Sequence, residues 1–286
     1  MFFTKLQSVG NDFILIETAD LTYDWSSLSK AMCDRKFGIG ADGLLLLIPS
    51  LKADFGMRMF NPDGSESEAC GNGLRCLIKY IADIKLAGRE ITNLNIDTIS
   101  GVRKANYALK DGKADIIQAS MGIPEFDAAK IPVSVDKHMG KNVASRLIAD
   151  YPLTIDKNNL LLSFVSMGNP HAIYFQDEPL KDFPLTQIGP KVENDSLFPK
   201  RVNFEVARIA NRGQVDVRVW ERGAGETLGC GSGACAVAVA SFLLGYTDNI
   251  VDIVLPGGKL SVEWDGESEV LLSGIAEIVF TGDWKK

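Results

Sequence analysis

Short stretches of alternating apolar and polar residues recur along this chain, and four stretches read as helices instead. Residues 2–6 and 13–17 read as strands joined through Ser8-Val9-Gly10-Asn11-Asp12. Asp24 is placed to cap a helix over 25–35, with Leu28 and Met32 spaced for one buried face. The unbroken apolar run 44–48 predicts a strand covered on both faces, and 57–60 the next strand. Pro62-Asp63-Gly64 is a turn, combining a preset φ, an Asx acceptor and a free φ. A helix over 72–84 follows, then strands near 94–99, 102–109 and 114–121, the last two joined across Asp111-Gly112. From 122 to about 156 the pattern weakens among Pro124, Pro132 and Pro152, and the crossing between two domains is placed there. It restarts with strands 160–166 and 172–175 around the turn Met167-Gly168-Asn169-Pro170-His171, and a helix beginning near Pro184. Strands 203–209 and 215–220, a helix over 232–244 and strands 250–255, 260–264 and 269–280 complete the reading.

The two halves repeat one another. Slid by 160 positions without a gap, Arg58 falls on Arg218, Glu66 on Glu226, Cys70 on Cys230, Gly71 on Gly231 and Gly73 on Gly233. Each copy reads as a strand, a polar turn, then Cys-Gly-x-Gly opening an apolar helix. The likeness is wider than that block, since Ser8-x-Gly10-Asn11 matches Ser166-x-Gly168-Asn169. A period this long is a duplicated domain rather than a solenoid repeat. The fold class is therefore α/β (α+β), with two pseudo-symmetric, strand-rich domains. Residues 1–121 plus about 275–286 form the first and 122–274 the second, with a ligand expected in the cleft where they face each other.

Composition narrows the function classes. At 286 residues, 46% hydrophobic and 23% charged, the chain has the balance of a globular protein with room for two cores. A net charge of −7 without a basic cluster argues against nucleic acid as a partner. The longest apolar run is too short to span a bilayer and residues 1–6 do not read as a signal peptide, so a cytoplasmic location is expected. Five cysteines, none in a C-x-x-C pair, and only two histidines disfavour a disulfide framework or a structural zinc site; no metal is expected. No Walker pattern is present, and Gly38-Ile39-Gly40-Ala41-Asp42-Gly43 departs from the dinucleotide fingerprint.

Cys-Gly-x-Gly at a helix start has a chemistry of its own. The glycines let backbone approach a ligand, and the unpaired N–H groups and dipole of the helix favour a carboxylate. The same field lowers the pKa of a thiol there from about 8.5 toward neutrality. Two such ends would hold one carboxylate with its α-carbon between two sulfurs, where a thiolate and a thiol can exchange roles as base and acid. Cysteine is more often a buried, inert residue, and Cys33, Cys76 and Cys235 are read that way, within helices. Recurrence of the glycines and helix start reverses that reading for Cys70 and Cys230. His138 is read as solvated and His171 as a turn residue of undecided role, while Asn11, Asn61, Asn169 and Asn203 would by themselves be turn formers. Glu221 and Arg222 directly precede a Gly-rich turn, where binding groups gather.

Taken together, Gly10-Asn11-Asp12-Phe13, Gly38 to Gly43, Asn61-Pro62-Asp63-Gly64-Ser65, Glu68-Ala69-Cys70-Gly71-Asn72-Gly73-Leu74-Arg75-Cys76, Met167 to His171, Arg201-Val202-Asn203 and Trp220-Glu221-Arg222-Gly223-Ala224-Gly225-Glu226-Thr227 through Cys230-Gly231-Ser232-Gly233-Ala234-Cys235-Ala236 resemble the diaminopimelate epimerase family. The resemblance runs through nearly the whole chain. It implies a barrel-like sheet around a central helix in each domain, and interconversion of LL- and meso-diaminopimelate without a cofactor. It implies Cys70 and Cys230 as acid/base thiols, and Asn72, Gly73, Gly231 and Ser232 as donors to the α-carboxylate. Asn11, Asn61, Asn169, Asn203, Glu221 and Arg222 would hold the amino groups and distal carboxylate, with His171 and Glu221 tuning the thiols. It also implies that the final strand returns to the first domain, and a homodimer. Gly43 stands where some members carry a glutamine and receives no role, and Val202 replaces a common threonine. Three other readings stay open: a related racemase acting on proline or another amino acid, a redox protein pairing Cys70 with Cys230, and a non-catalytic amino-acid binder.

Overall fold

The structure is a computed structural model that describes residues 1–67, 70–89, 91–136 and 138–285. The chain divides into two units, Met1–Ser120 with Ser273–Lys286, and Met121–Leu272. The first opens with β1 (Phe2–Ser8) and β2 (Asn11–Glu17), paired antiparallel. Val9 and Gly10 both take positive φ, of 47° and 80°, which closes a two-residue hairpin and lets both strands run longer than their apolar cores. Next come α1 (Trp25–Cys33), β3 (Gly43–Ile48) and β4 (Phe55–Phe60). The Asp24 carboxylate accepts from Ser27 N at the start of α1, and the Asp34 carboxylate turns the chain out at its end by accepting from Lys36 N and Phe37 N. That second Asx contact ends the helix two residues before the predicted position 35. Helix α2 (Gly71–Tyr80) continues into a π turn over Ile81–Lys85 before β5 (Asn93–Thr98), β6 (Gly101–Lys110) and β7 (Lys113–Ser120).

The second unit holds β8 (Lys141–Val143), β9 (Leu147–Ala149), β10 (Tyr151–Ile155), β11 (Asn158–Ser166), β12 (Pro170–Phe175) and α3 (Leu185–Glu193). It continues with β13 (Asn203–Asn211), β14 (Gln214–Glu221), β15 (Gly225–Thr227), α4 (Gly231–Leu243), β16 (Ile250–Leu255) and β17 (Gly258–Glu263). The chain leaves it through β18 (Leu271–Gly274) and ends in β19 (Glu277–Asp283), which pairs antiparallel with β1 in the first unit. The predicted single strand over 269–280 is thus two strands, broken where Ser8 Oγ donates to the Ile275 carbonyl at 2.7 Å. Strands β8 to β10 occupy the stretch that showed little pattern. They are short, and the turns beside them place Ala144, Ser145, Asp150 and Asp156 at positive φ, positions where sequence gives no glycine signal.

Each unit wraps one long helix in strands. In the first, Leu74, Leu77, Ile78 and Ile81 share a core with Leu6, Phe13, Leu15, Leu45, Met59 and Ile96. The opposite face of the same strands, through Ile14, Ile16, Leu44 and Leu46, is covered by Leu28 and Met32 of α1. Strand β3 is therefore buried on both sides, which is what its unbroken apolar run requires. In the second unit α4 is buried almost all round, from Gly233 to Ser241, so it reads as uniformly apolar rather than amphipathic. Helix α3 covers the outer face with Leu185, Ile188 and Val192 against Phe164, Phe204 and Val206. Among the described residues the strand pairings close neither array into a barrel. The duplicated ion pair is present in both: Arg58 Nε lies 2.5 Å from Glu66 and Arg218 Nε 2.8 Å from Glu226.

Candidate active site

Both Cys-Gly-x-Gly segments take the same local form. Cys70 and Cys230 are the N-cap residues of α2 and α4, in extended backbone conformation. Each sulfur accepts from the N–H three residues on, Gly73 N at 3.3 Å and Gly233 N at 3.4 Å. A thiol in the role usually filled by serine or aspartate satisfies one orphan donor of the helix and sits at its positive end. Glu68 and Ala69, which precede Cys70 in the motif, lie outside the described residues. Cys33, Cys76 and Cys235 are buried in the cores, as read from their helical positions, and burial raises the Cys33 thiol to about 11.

Around Cys70 the polar groups come from β1, β2, the start of β3 and α2 itself. Asn11 donates to Asp42 at 2.7 Å and accepts from Asn72 Nδ2 at 3.3 Å. The Asn72 amide oxygen in turn accepts from Arg75, a fully buried guanidinium whose Nη2 also meets Ser8 Oγ at 3.0 Å. Burial opposes ionisation of Asp12, yet hydrogen bonds from Arg35 and Lys5 overcome it and hold the carboxyl down at about 2. Asn61 is spent locally, its amide donating to Ser65 Oγ at 3.0 Å. At Gly43 an added Cβ would lie 3.0 Å from Met59 Cε and 3.3 Å from a Phe13 ring carbon, so a longer side chain there requires the Met59 end to shift.

Around Cys230 the setting is different. His171 is not a turn residue; it is the second residue of β12, fully buried, because the turn ends one residue earlier than the sequence suggests. Its Nδ1 lies 2.6 Å from Glu205 Oε1 and its Nε2 3.0 Å from Asn169 Oδ1. Asn169 Nδ2 donates to Ser232 Oγ at 3.2 Å, and that hydroxyl lies 3.5 Å from Cys230 Sγ. Glu221 accepts from Thr227 Oγ1. Asn203 binds backbone on both sides, donating to Pro170 O at 2.9 Å and accepting from Arg222 N at 3.0 Å, so it braces the turn that carries Arg222. Arg222 is exposed, with Nη1 3.2 Å from Lys200 O.

The expected fall in thiol pKa is reversed at Cys230. Burial comes first, then the Glu221 and Glu205 carboxylates, and together they push the thiol well above its ordinary value against the helix end and Ser232. Burial, followed by the charge of Glu205, likewise raises Glu221. Glu205, Thr227, Asp42 and Arg75 escaped the sequence reading. A charged residue inside the apolar segment Asn203-Phe204-Glu205-Val206-Ala207 was the available signal for Glu205, whose exposure is zero.

The class this fold defines is that of strand-rich α/β proteins in which a cysteine opens the central helix of each of two duplicated units. The family model described as diaminopimelate epimerase matches residues 3–126 and 163–279, and the chain belongs to that family. The diaminopimelate epimerase of Acetivibrio thermocellus is 42% identical over 285 residues, covering 99% of this chain and 98% of that protein. That of Methanococcus maripaludis is 40% identical, covering 99% of each chain. Among solved structures, a probable proline racemase from Agrobacterium radiobacter aligns with a TM-score of 0.71 at 12% identity, covering 99% of this chain and 92% of its own. A hydroxyproline epimerase from Agrobacterium vitis, with bound trans-4-hydroxy-L-proline, aligns at 0.70 and 15% identity, covering 99% and 90%. These likenesses establish the mixed α/β fold.

Proposed function

We propose that this chain interconverts LL- and meso-diaminopimelate through Cys70 and Cys230, without an organic cofactor or a metal, in the supply of lysine and cell-wall precursors. The observation that carries the reading is the matched pair of cysteine N-caps, each with its sulfur on the N–H of the following glycine. Inversion at an α-carbon needs a base on one face and an acid on the other. Two thiols offered from two copies of one frame supply both, and the roles exchange with the direction of reaction. In this reading the two units act as two epimerase domains. The first N–H groups of α2 and α4, from Asn72, Gly73, Gly231 and Ser232, bind the α-carboxylate. Arg222, exposed and braced through Asn203, takes the distal carboxylate bidentately. Asn11 and Asn169 complete the polar lining, Asn61 and Asn203 hold the turns that support it, and His171 and Glu221 set the protonation of Cys230. The family membership and the charged Arg222 favour a long substrate with a second carboxylate over proline, which would leave that arginine unmatched.

The test is incubation of the reduced protein with LL-diaminopimelate in D2O. NMR follows the α-proton while chiral analysis follows the meso isomer. Deuterium at the α-carbon appearing together with meso product is expected. No exchange from protein with free thiols would overturn the substrate assignment.

A further inference from the structure

Slid by the repeat, Leu45 of β3 falls on Glu205 of β13, and the structure confirms the match through the glycines. A Cβ added at Gly73 would meet Leu45 at 3.0 Å and Cys70 Sγ at 3.5 Å, whereas one added at Gly233 would meet Glu205 Oε1 at 2.8 Å and Cys230 Sγ at 3.3 Å. Likewise Phe13 pairs with Gly43 in the first unit where His171 pairs with Asn203 in the second. One copy thus has a phenylalanine and a leucine where the other has an imidazole and a carboxylate, both fully buried. Glu205 Oε2 has no hydrogen-bond partner among the described residues, so the core carries a half-satisfied carboxylate. A buried group of that kind is costly, and packing alone would favour the leucine found in the other copy.

From Glu205 a continuous chain of hydrogen bonds reaches the sulfur: 2.6 Å to His171, 3.0 Å to Asn169, 3.2 Å to Ser232 and 3.5 Å to Cys230. We propose that Glu205 is a positioning residue for the epimerisation, fixing the polarity of this relay so that the Ser232 hydroxyl points its hydrogen at Cys230 Sγ. A carboxylate only accepts, so the imidazole donates to it from Nδ1. Asn169 presents its oxygen to Nε2 and its N–H to Ser232. The serine oxygen is then occupied as acceptor, and its own hydrogen is left for the sulfur. The relay supplies the Cys230 thiolate with a second donor beside Gly233 N, and it does so at a thiol whose burial opposes ionisation. The inference rests on the two-thiol reading for its purpose, but its geometry lies wholly within the second unit.

Glu205→Gln separates this role from a plain field effect. Glutamine can either accept from Nδ1 or donate to it, so it no longer fixes the polarity of the relay. Where Nε2 accepts from Asn169, the amide reverses, and Ser232 turns its hydrogen to the Asn169 oxygen and away from the sulfur. The groups facing Cys230 are Glu221 from β14, Glu205 from β13 and, through the relay, His171 from β12. Iodoacetamide labelling of the whole protein, followed across pH by peptide mass spectrometry, reads Cys230 with Cys70 as internal reference. The relay predicts a raised midpoint for Cys230 in E205Q, with roughly tenfold slower labelling below it and Cys70 unchanged. A mere charge neighbour predicts the opposite sign, because loss of a nearby negative charge lowers the midpoint and speeds labelling; that result, or no change, overturns the proposal. Ser232→Ala, which cuts only the last link, should raise the Cys230 midpoint too. Adding E205Q to it should then change little, and an additive double variant overturns the relay. Native protein that fails to epimerise would sink the function reading while leaving these labelling results to stand or fall on their own.

Discussion

The two cysteine turns share a backbone and differ in what their strands bring to it. Both sulfurs cap a helix, both helices follow an ion pair eight residues wide, and both glycines three residues on are held by a neighbour's close approach. Yet the neighbour is Leu45 in one and Glu205 in the other. Duplication has kept the geometry that places a thiol at a helix end and has varied the two strand positions that decide what the thiol feels there. The polar links run differently as well. In the first unit the asparagine at position 72 donates to Asn11, whereas in the second Asn169 donates to the serine at position 232. In the proposed reaction, symmetry of frame would serve a step that runs both ways, and asymmetry of environment would let one sulfur be base while the other is acid.

The largest effects break the comparison outright. Cys70→Ser and Cys230→Ser should each lower the rate of inversion by about a thousandfold or more. Each should leave deuterium exchange without inversion, from LL substrate in one variant and from meso substrate in the other, as read by NMR in D2O. Equal exchange from both isomers in either variant would mean that the surviving thiol does not serve a single face. Smaller, and more discriminating, is the alanine pair at the matched glycines. Gly233→Ala drives a Cβ to 2.8 Å from a carboxylate oxygen pinned to His171, while Gly73→Ala presses on the end of Leu45 at 3.0 Å. Leucine can yield by a rotamer shift, and alanine favours the helix by about 1 kcal/mol over glycine. G73A should therefore stay within about 1 kcal/mol of native stability, whereas G233A should lose roughly tenfold or more of its rate. Thermal melts and steady-state rates of both variants decide it.

Much of this frame was legible in the sequence, for reasons that differ from place to place. The repeat is visible because an ungapped 160-residue offset aligns residues that backbone geometry requires: two glycines, a capping thiol and an ion pair. Helix α1 is visible because Asp24 and the spacing of Leu28 and Met32 agree. The stretch from 122 to 156 is not, since its turns rest on Ala144, Ser145 and Asp150 in conformations that only tertiary packing selects. His171 was misplaced because Gly168-Asn169-Pro170 reads as a turn that carries its neighbours with it, whereas Pro170 begins β12. Glu205 carried a signal, a charge inside an apolar strand, but its role depends on three side chains from other elements, and no spacing within β13 announces them.

A third test sharpens the electrostatic side. Glu221 is held above its ordinary carboxylate value, first by burial and then by Glu205. A group whose folded pKa is raised contributes stability that is complete below its unfolded pKa and is lost as pH rises through the folded one. For Glu221 that loss begins near 4.5 and runs upward, so the unliganded protein should lose stability as pH rises from there. Glu221→Gln should flatten that slope in urea melts at a series of pH values, and an unchanged slope would show that Glu221 is not its source. Asp12 acts in the other sense: its stabilisation of the Asn11 turn, present above about 4, should be lost as pH falls toward 2.

The smallest expected difference concerns the feature the two halves share most closely. Arg58 and Arg218 each grip the glutamate eight residues on with two nitrogens. Such partly exposed bidentate pairs contribute about 1 kcal/mol or less. Their remaining contacts separate them. Arg58 lies over the Phe60 ring with its guanidinium carbon 5.0 Å from the centroid, a contact that a lysine ammonium can in part reproduce. Arg218 also donates to the Leu180 carbonyl at 2.6 Å and the Phe183 carbonyl at 3.0 Å, tying β14 to the turn before α3. A lysine has no fork with which to hold a carboxylate and two carbonyls at once. Arg218→Lys should therefore cost more stability than Arg58→Lys, by about 1 kcal/mol in chemical denaturation. Equal losses would mean that the carbonyl contacts contribute nothing beyond the ion pair, and that the two copies are as alike in energy here as they are in sequence.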